Sequence, residues 1–179
     1  RRQRQMCIRD RLMSKASSLY RCLSKTIFSA SSLLKILNDE ICETTSRGMF
    51  VTMIVGVYDK NKNELLLANA GHEPPLIFSK DGNFKTIDEA GPPLGIAPNF
   101  KFAEQIISFK ESSMYIFTDG ITEMKNNNGE MLGQEGFQDY IKKYQTTPNN
   151  KRLQKMIEDL ISSGRIQKDD LTIVTVDGN

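Results

Sequence analysis

The segment Met114-Tyr115-Ile116-Phe117-Thr118-Asp119-Gly120-Ile121-Thr122-Glu123 decides how the rest of the chain is read. It opens as a short apolar run rich in β-formers, the pattern of a buried strand. It stops at a carboxylate followed by glycine. A carboxylate at the mouth of a buried strand is costly to desolvate unless a cation meets it. Glycine lets the backbone turn tightly and approach a ligand closely. The segment therefore predicts a rigid strand delivering Asp119 to a site. The plainer alternative is a solvated turn aspartate, which is common after strands.

Downstream, residues 125–129 form a polar, Asn-rich loop, and residues 136–144 and 151–161 read as two helices. The second carries Leu153, Met156, Ile157, Leu160 and Ile161 on one face, and Gly164 ends it. The last element is a strand over Leu171 to Val176, preceded by Asp169-Asp170. Upstream, FVTMIVGVY (50–58), a polar turn and ELLLAN (64–69) predict a hairpin. A strand over 74–78 turns at Asp81-Gly82 into residues 84–87, and a looser alternation runs from Phe102 to Phe109. Before these, Leu12, Met13, Ala16, Leu19, Tyr20, Leu23 and Ile27 mark one helix face. Ser29 to Ser32 can break and re-cap it, and Leu33, Leu34, Leu37 and Ile41 continue the helical pattern. Strands joined by hairpins and grouped between helices predict a mainly antiparallel α+β sandwich.

Residues 1–11 (RRQRQMCIRDR) carry five arginines and no apolar periodicity. We read them as a non-native-looking basic leader and exclude them from the fold, leaving residues 12–179 as one domain. The competing reading is a basic tail for an acidic partner. The 179 residues, 39% hydrophobic and 26% charged with net charge +2, fit one globular domain able to bury a core. No basic stripe with interleaved aromatics supports nucleic-acid binding. Cys7, Cys22 and Cys42 lack metal-type spacing, and with a single histidine zinc is not expected. Reduced thiols fit a cytoplasmic location. No apolar run approaches the ~18 residues of a membrane span.

Asp119 closes one strand and Asp169-Asp170 open another. Antiparallel neighbours would bring those ends together. Converging carboxylates repel unless a hard cation resolves them, and all-oxygen ligation favours Mg²⁺ or Mn²⁺. Such an ion activates water and neutralises a phosphoryl group. The alternative is a turn with a capping aspartate. His72 reads as a hydrogen-bonded structural residue or as a general acid.

Five segments stand in the order and spacing of one family. They are Phe50-Val51-Thr52-Met53, Asn69-Ala70-Gly71-His72-Glu73-Pro74-Pro75-Leu76, Pro93-Leu94-Gly95-Ile96, Phe117 to Glu123, and Asp169-Asp170-Leu171-Thr172. From Leu12 to Val176 the chain resembles the PPM-type metal-dependent serine/threonine phosphatases, in the bacterial branch similar to sporulation protein E and RsbU. The resemblance implies an α-β-β-α sandwich of two antiparallel sheets, here incomplete at the N-terminus. It implies hydrolysis of phosphoserine or phosphothreonine on a protein, with two Mn²⁺ or Mg²⁺ ions activating a bridging water. It makes Asp119 and Asp169 metal ligands, with Asp170 and Gly120 as further or neighbouring positions. It suggests an anti-sigma-factor antagonist as phosphoprotein partner and an upstream sensor domain. The family's first acidic motif, of GDxxGxG type, is not in this sequence. The resemblance places it just before Leu12, so roughly a quarter to a third of a domain is expected upstream. Without the bridging carboxylate the stretch alone is expected to be nearly inactive. The rival reading is a non-catalytic interaction module on the same fold.

Overall fold

In the computed structural model the first helix, α1 (Arg2–Leu23), runs straight through the arginine-rich leader. The structure describes residues 2–44, 48–87 and 90–178, with side chains from residue 10 onward. The helix thus begins ten residues before the apolar pattern that announces it. Arg, Gln and Met are all good helix formers, and neither Gly nor Pro interrupts them. In its later part Leu12 and Ala16 are buried, whereas Met13 and Tyr20 face outward.

The chain divides into two compact units. The first comprises Arg1–His72 and Asp88–Ser108. It holds α1, α2 (Ala30–Thr44) and an antiparallel sheet of β1 (Met53–Asp59), β2 (Glu64–Ala70) and β5 (Gln105–Ser108), in the order β1-β2-β5. The expected hairpin is present, with Met53 opposite Ala70 and Asp59 opposite Glu64. Its turn is held by the Asp59 carboxylate, which accepts from the amides of Asn61 and Lys62 at 2.9 and 3.3 Å. Leu33, Leu34, Leu37 and Ile41 of α2 pack with Val55, Ala68 and Ala70 of the sheet, so one helical stripe covers one sheet face.

The second unit comprises Glu73–Ile87 and Phe109–Asn179. Its sheet has the order β4-β3-β6-β7, all antiparallel, from β3 (Leu76–Ser79), β4 (Phe84–Thr86), β6 (Ser112–Phe117) and β7 (Ile173–Asp177). Three helices accompany it: α3 (Asp119–Thr122), α4 (Gly133–Lys143) and α5 (Asn149–Ser162). Tyr115 and Phe117 of β6 meet the Phe137 ring of α4 at 6.4 and 4.9 Å, the first edge-on. Met156 and Leu160 of α5 complete that core. The strand that anchored the reading of the sequence is therefore the one on which this unit's helices pack. Among the described residues, no helix is long and apolar enough to cross a membrane.

Candidate functional site

The antiparallel register of β6 and β7 sets Phe117 opposite Ile173. The C-terminal end of one strand therefore lies beside the start of the other, and residues 118–120 adjoin 169–172. The Thr118 hydroxyl donates to the Asp170 carbonyl at 3.1 Å and accepts from the Thr172 amide at 3.2 Å. The Thr118 amide donates to the Thr172 carbonyl at 3.2 Å. On the other side of Asp119, a Cβ added to Gly120 would come within 2.4 Å of the Asp170 carbonyl oxygen. Thr118 and Gly120 thus grip the same carbonyl, and Asp119 stands between them.

Two details differ from the sequence reading. Residues 119–122 do not turn sharply but form a single helical turn, with Asp119 as its first residue. The Glu123 amide closes it onto the Asp119 carbonyl at 2.8 Å. Gly120 is buried, and its close approach is to the chain's own backbone at Asp170. Thr118 carries much of the junction yet attracted no notice in the sequence. Its signal was only its place beside Asp119, because its partners are backbone atoms more than fifty residues away.

Asp119, Asp169 and Asp170 are all exposed. One Asp169 oxygen accepts from the Asp170 amide at 2.8 Å, and Gln167 donates to the Asp169 carbonyl at 2.9 Å. Exposed carboxylates on adjoining backbone are the right kind of donor for a hard divalent cation. The number is too small: among the described residues, no three His, Cys, Asp or Glu side chains lie close enough to hold an ion. Such an ion takes six or more oxygens, so these positions supply at most part of a shell.

The two glycine- and proline-rich segments form a second junction, in the first unit. Gly71 has φ +68°, and a Cβ there would lie 2.6 Å from the Pro93 ring. Gly91 donates to the Asn69 carbonyl at 2.9 Å, and Val51 and Leu94 exchange two backbone bonds. The buried Asn69 side chain donates to the His72 carbonyl and accepts from its amide, both at 2.9 Å. His72 Nδ1 lies 3.3 Å from the Thr52 hydroxyl. These contacts fit the architectural reading of both segments.

The sequence matches the family Stage II sporulation protein E (SpoIIE) over residues 11–178. Protein IcfG of Synechocystis sp. is 28% identical over 179 residues, covering 95% of this chain and 27% of that protein. Phosphoserine phosphatase RsbU of Bacillus subtilis is 27% identical over 157 residues, covering 86% of this chain and 47% of RsbU. The chain thus spans about half, or less, of the length of these relatives. Among solved structures, the SiaA-PP2C domain of Pseudomonas aeruginosa superposes with a TM-score of 0.79 at 14% identity, covering 93% of this chain and 68% of that one. Two antiparallel sheets with their helices, the Asp119 junction and a match over residues 11–178 agree, and the chain belongs to the SpoIIE family.

Proposed function

We propose that the protein containing this chain hydrolyses phosphoserine or phosphothreonine on a regulatory protein. One observation carries the proposal: the segments holding Asp119 and Asp169 interlock through Thr118, Gly120 and Asp170, in a chain of a family that includes phosphatase relatives. The family is generally dependent on Mn²⁺ or Mg²⁺. In this reading Asp119 and Asp169 give two carboxylates to a centre that an acidic motif elsewhere in the full-length protein completes. Asp170 contributes mainly its backbone carbonyl, already used by Thr118, and Gly120 contributes closeness. A bound divalent ion would supply charge neutralisation at a phosphoryl oxygen and an activated water. The chain's own part is to anchor the segments carrying the two acidic positions at the adjoining ends of β6 and β7. A phosphorylated anti-sigma-factor antagonist is the partner we propose, with a sensor domain elsewhere in the protein and a cytoplasmic location.

The test uses the full-length protein. A phosphoserine peptide and Mn²⁺ should give steady turnover, and Asp119→Asn or Asp169→Asn should cut it by about 10²–10³. Asp119→Asn should also weaken Mn²⁺ binding measured calorimetrically, while Asp59→Asn, in the β1–β2 turn, should not. Equal effects of the two would mean the site is misplaced. Residues 12–179 alone should hydrolyse p-nitrophenyl phosphate barely at all. Binding of a phosphoprotein without turnover by the full-length protein would favour the interaction-module reading instead.

A further inference from the structure

The polar, Asn-rich loop that follows Asp119 is tied down by one of its own side chains. The Asn126 side-chain oxygen accepts from the amides of Asn128 and Glu130 at 2.9 and 3.0 Å, and its side-chain amide donates to the Glu130 carboxylate at 2.8 Å. The Gly129 amide closes the turn onto the Asn126 carbonyl at 2.9 Å. The loop therefore folds back as a short hairpin, with Lys125 opposite Met131. On its other side Lys125 stands opposite Ile166, and the two exchange backbone bonds of 3.4 and 2.8 Å. Three strips of chain, at Met131, Lys125 and Ile166, thus lie side by side in antiparallel order.

Residues directly opposed in an antiparallel ladder send their side chains to the same face. Met131 and Ile166 consequently flank Lys125, about 10 Å apart across two strand spacings. Both apolar residues are 55% exposed, and Lys125 is half-buried between them. A lone exposed apolar residue is ordinary, but two fixed on one face around an ammonium make a surface. Its charge is one-sided. Lys125, Arg165 and Lys168 join no ion pair among the described residues. The carboxylate on these strips, Glu130, is already held by Asn126.

This surface continues the candidate site. Residues 118–125 and 166–172 run beside each other, pinned at one end by Thr118 and at the other by Lys125. The two segments that carry Asp119 and Asp169 therefore both lead into it. Lys125 follows Asp119 by six residues, four positions of that stretch forming α3, so it lies within roughly 15 Å. We propose that this surface docks the polypeptide bearing the phosphoserine, with an apolar side chain seated against Met131 and Ile166 and an acidic one meeting Lys125. Such docking rests on the phosphatase reading and gives it a preferred sequence. An extended chain covers the same distance in about five residues, so the apolar and acidic residues belong at that separation from the phosphoserine.

The experiment uses the full-length protein with Mn²⁺ and three substrates. One is p-nitrophenyl phosphate, which is too small to reach the surface. The second is a set of phosphoserine peptides with a Leu-Glu pair scanned along both flanks. The third is a peptide with only Gly and Ser on its flanks. A Leu-Glu peptide with the pair about five residues away should have the lowest KM. Lys125→Glu should raise that KM about fivefold, and Met131→Ser combined with Ile166→Ser about tenfold, with kcat unchanged. Hydrolysis of p-nitrophenyl phosphate should not change in either variant. A Leu-Lys peptide should regain the low KM with Lys125→Glu, a reversal that a purely structural lysine would not produce. A wild-type protein inert toward p-nitrophenyl phosphate removes the phosphatase reading and the docking with it. Intact p-nitrophenyl phosphate turnover with the same KM for all peptides, or variants that lose turnover of all three substrates alike, overturns the docking alone.

Discussion

Asn38 shows what a single buried polar side chain can do in this chain. It lies fully buried on the apolar stripe of α2, where a leucine would satisfy the pattern equally well. Its carbonyl oxygen accepts from the Gly95 amide at 3.0 Å, and its amide donates to the Ala97 carbonyl at 2.8 Å. One side chain thus replaces water for two backbone groups of the loop at residues 93–97 and fixes that loop to the helix. Asn38→Leu keeps the volume and orphans both groups. We expect a loss of about 2–4 kcal/mol, seen as a lower urea midpoint with unchanged slope. Gly120 makes the opposite demand, for absence rather than presence. Gly120→Ala would press a methyl group against the Asp170 carbonyl, so the junction must part. Destabilisation of about 1–3 kcal/mol is expected in thermal melts. Asp119 and Gly120 stood out in the sequence because a carboxylate and a glycine end an apolar run abruptly. Asn38, Thr118 and Arg152 did not. A polar residue within a helical stripe or a strand end looks solvated until its distant partner is known, and the partners here are backbone atoms or residues far along the chain.

At the scale of paired elements, one tie makes a clear pH statement. Lys143, at the end of α4, bonds Asp159 of α5 at 2.6 Å, with its ammonium also near the Tyr140 and Tyr144 rings. The bond to Lys143 holds the Asp159 carboxyl below its ordinary value, and the same bond raises the lysine. Asp159 is thus harder to protonate in the folded chain than in the unfolded one. Its contribution is complete above the unfolded carboxylate pKa and is lost as pH falls through the lower, folded one. Lys143 mirrors this: its contribution is complete below the unfolded lysine pKa and is lost as pH rises through the raised folded value. Asp159→Asn should therefore flatten the acid limb of a stability-against-pH curve and leave the neutral plateau only slightly lower, since the lysine is largely exposed. An acid limb as steep as wild type would assign the effect elsewhere. The longer elements were legible because their periods are long enough to count. The turn α3 was not, since four residues fall below what periodicity resolves. Of the loosely alternating stretch from Phe102 to Phe109, residues 105–108 form β5, while Phe102, Ile107 and Phe109 are all buried.

For the molecule as a whole, the decisive feature is how often the chain crosses between its two units. It passes from one to the other after His72, after Ile87 and after Ser108. Neither unit is a continuous stretch. Each sheet draws its inner strand pairing from residues well apart in sequence, β2 with β5 in one and β3 with β6 in the other. The individual hairpins and helices could be read in order, and the two-sheet arrangement followed from the family resemblance. The crossings could not be read, because periodicity marks which face a strand buries and says nothing of which neighbour it takes. They imply a test of where the stability of the second unit resides. Residues 109–179 alone contain β6, β7 and all three helices of that unit but lack β3. One edge of β6 would stand open, and the core would lose Leu76 and Phe78. We expect this piece to bind a hydrophobic dye and to show no near-ultraviolet circular dichroism from its tyrosines. Joining residues 73–87 to 109–179 through a short flexible linker restores the β4-β3-β6-β7 order. That chimera should regain a cooperative melt, because its sheet and its helices are then all present. A cooperative, dye-free 109–179 piece, or a chimera that stays unstructured, would show that the second unit is not bounded where its contacts place it.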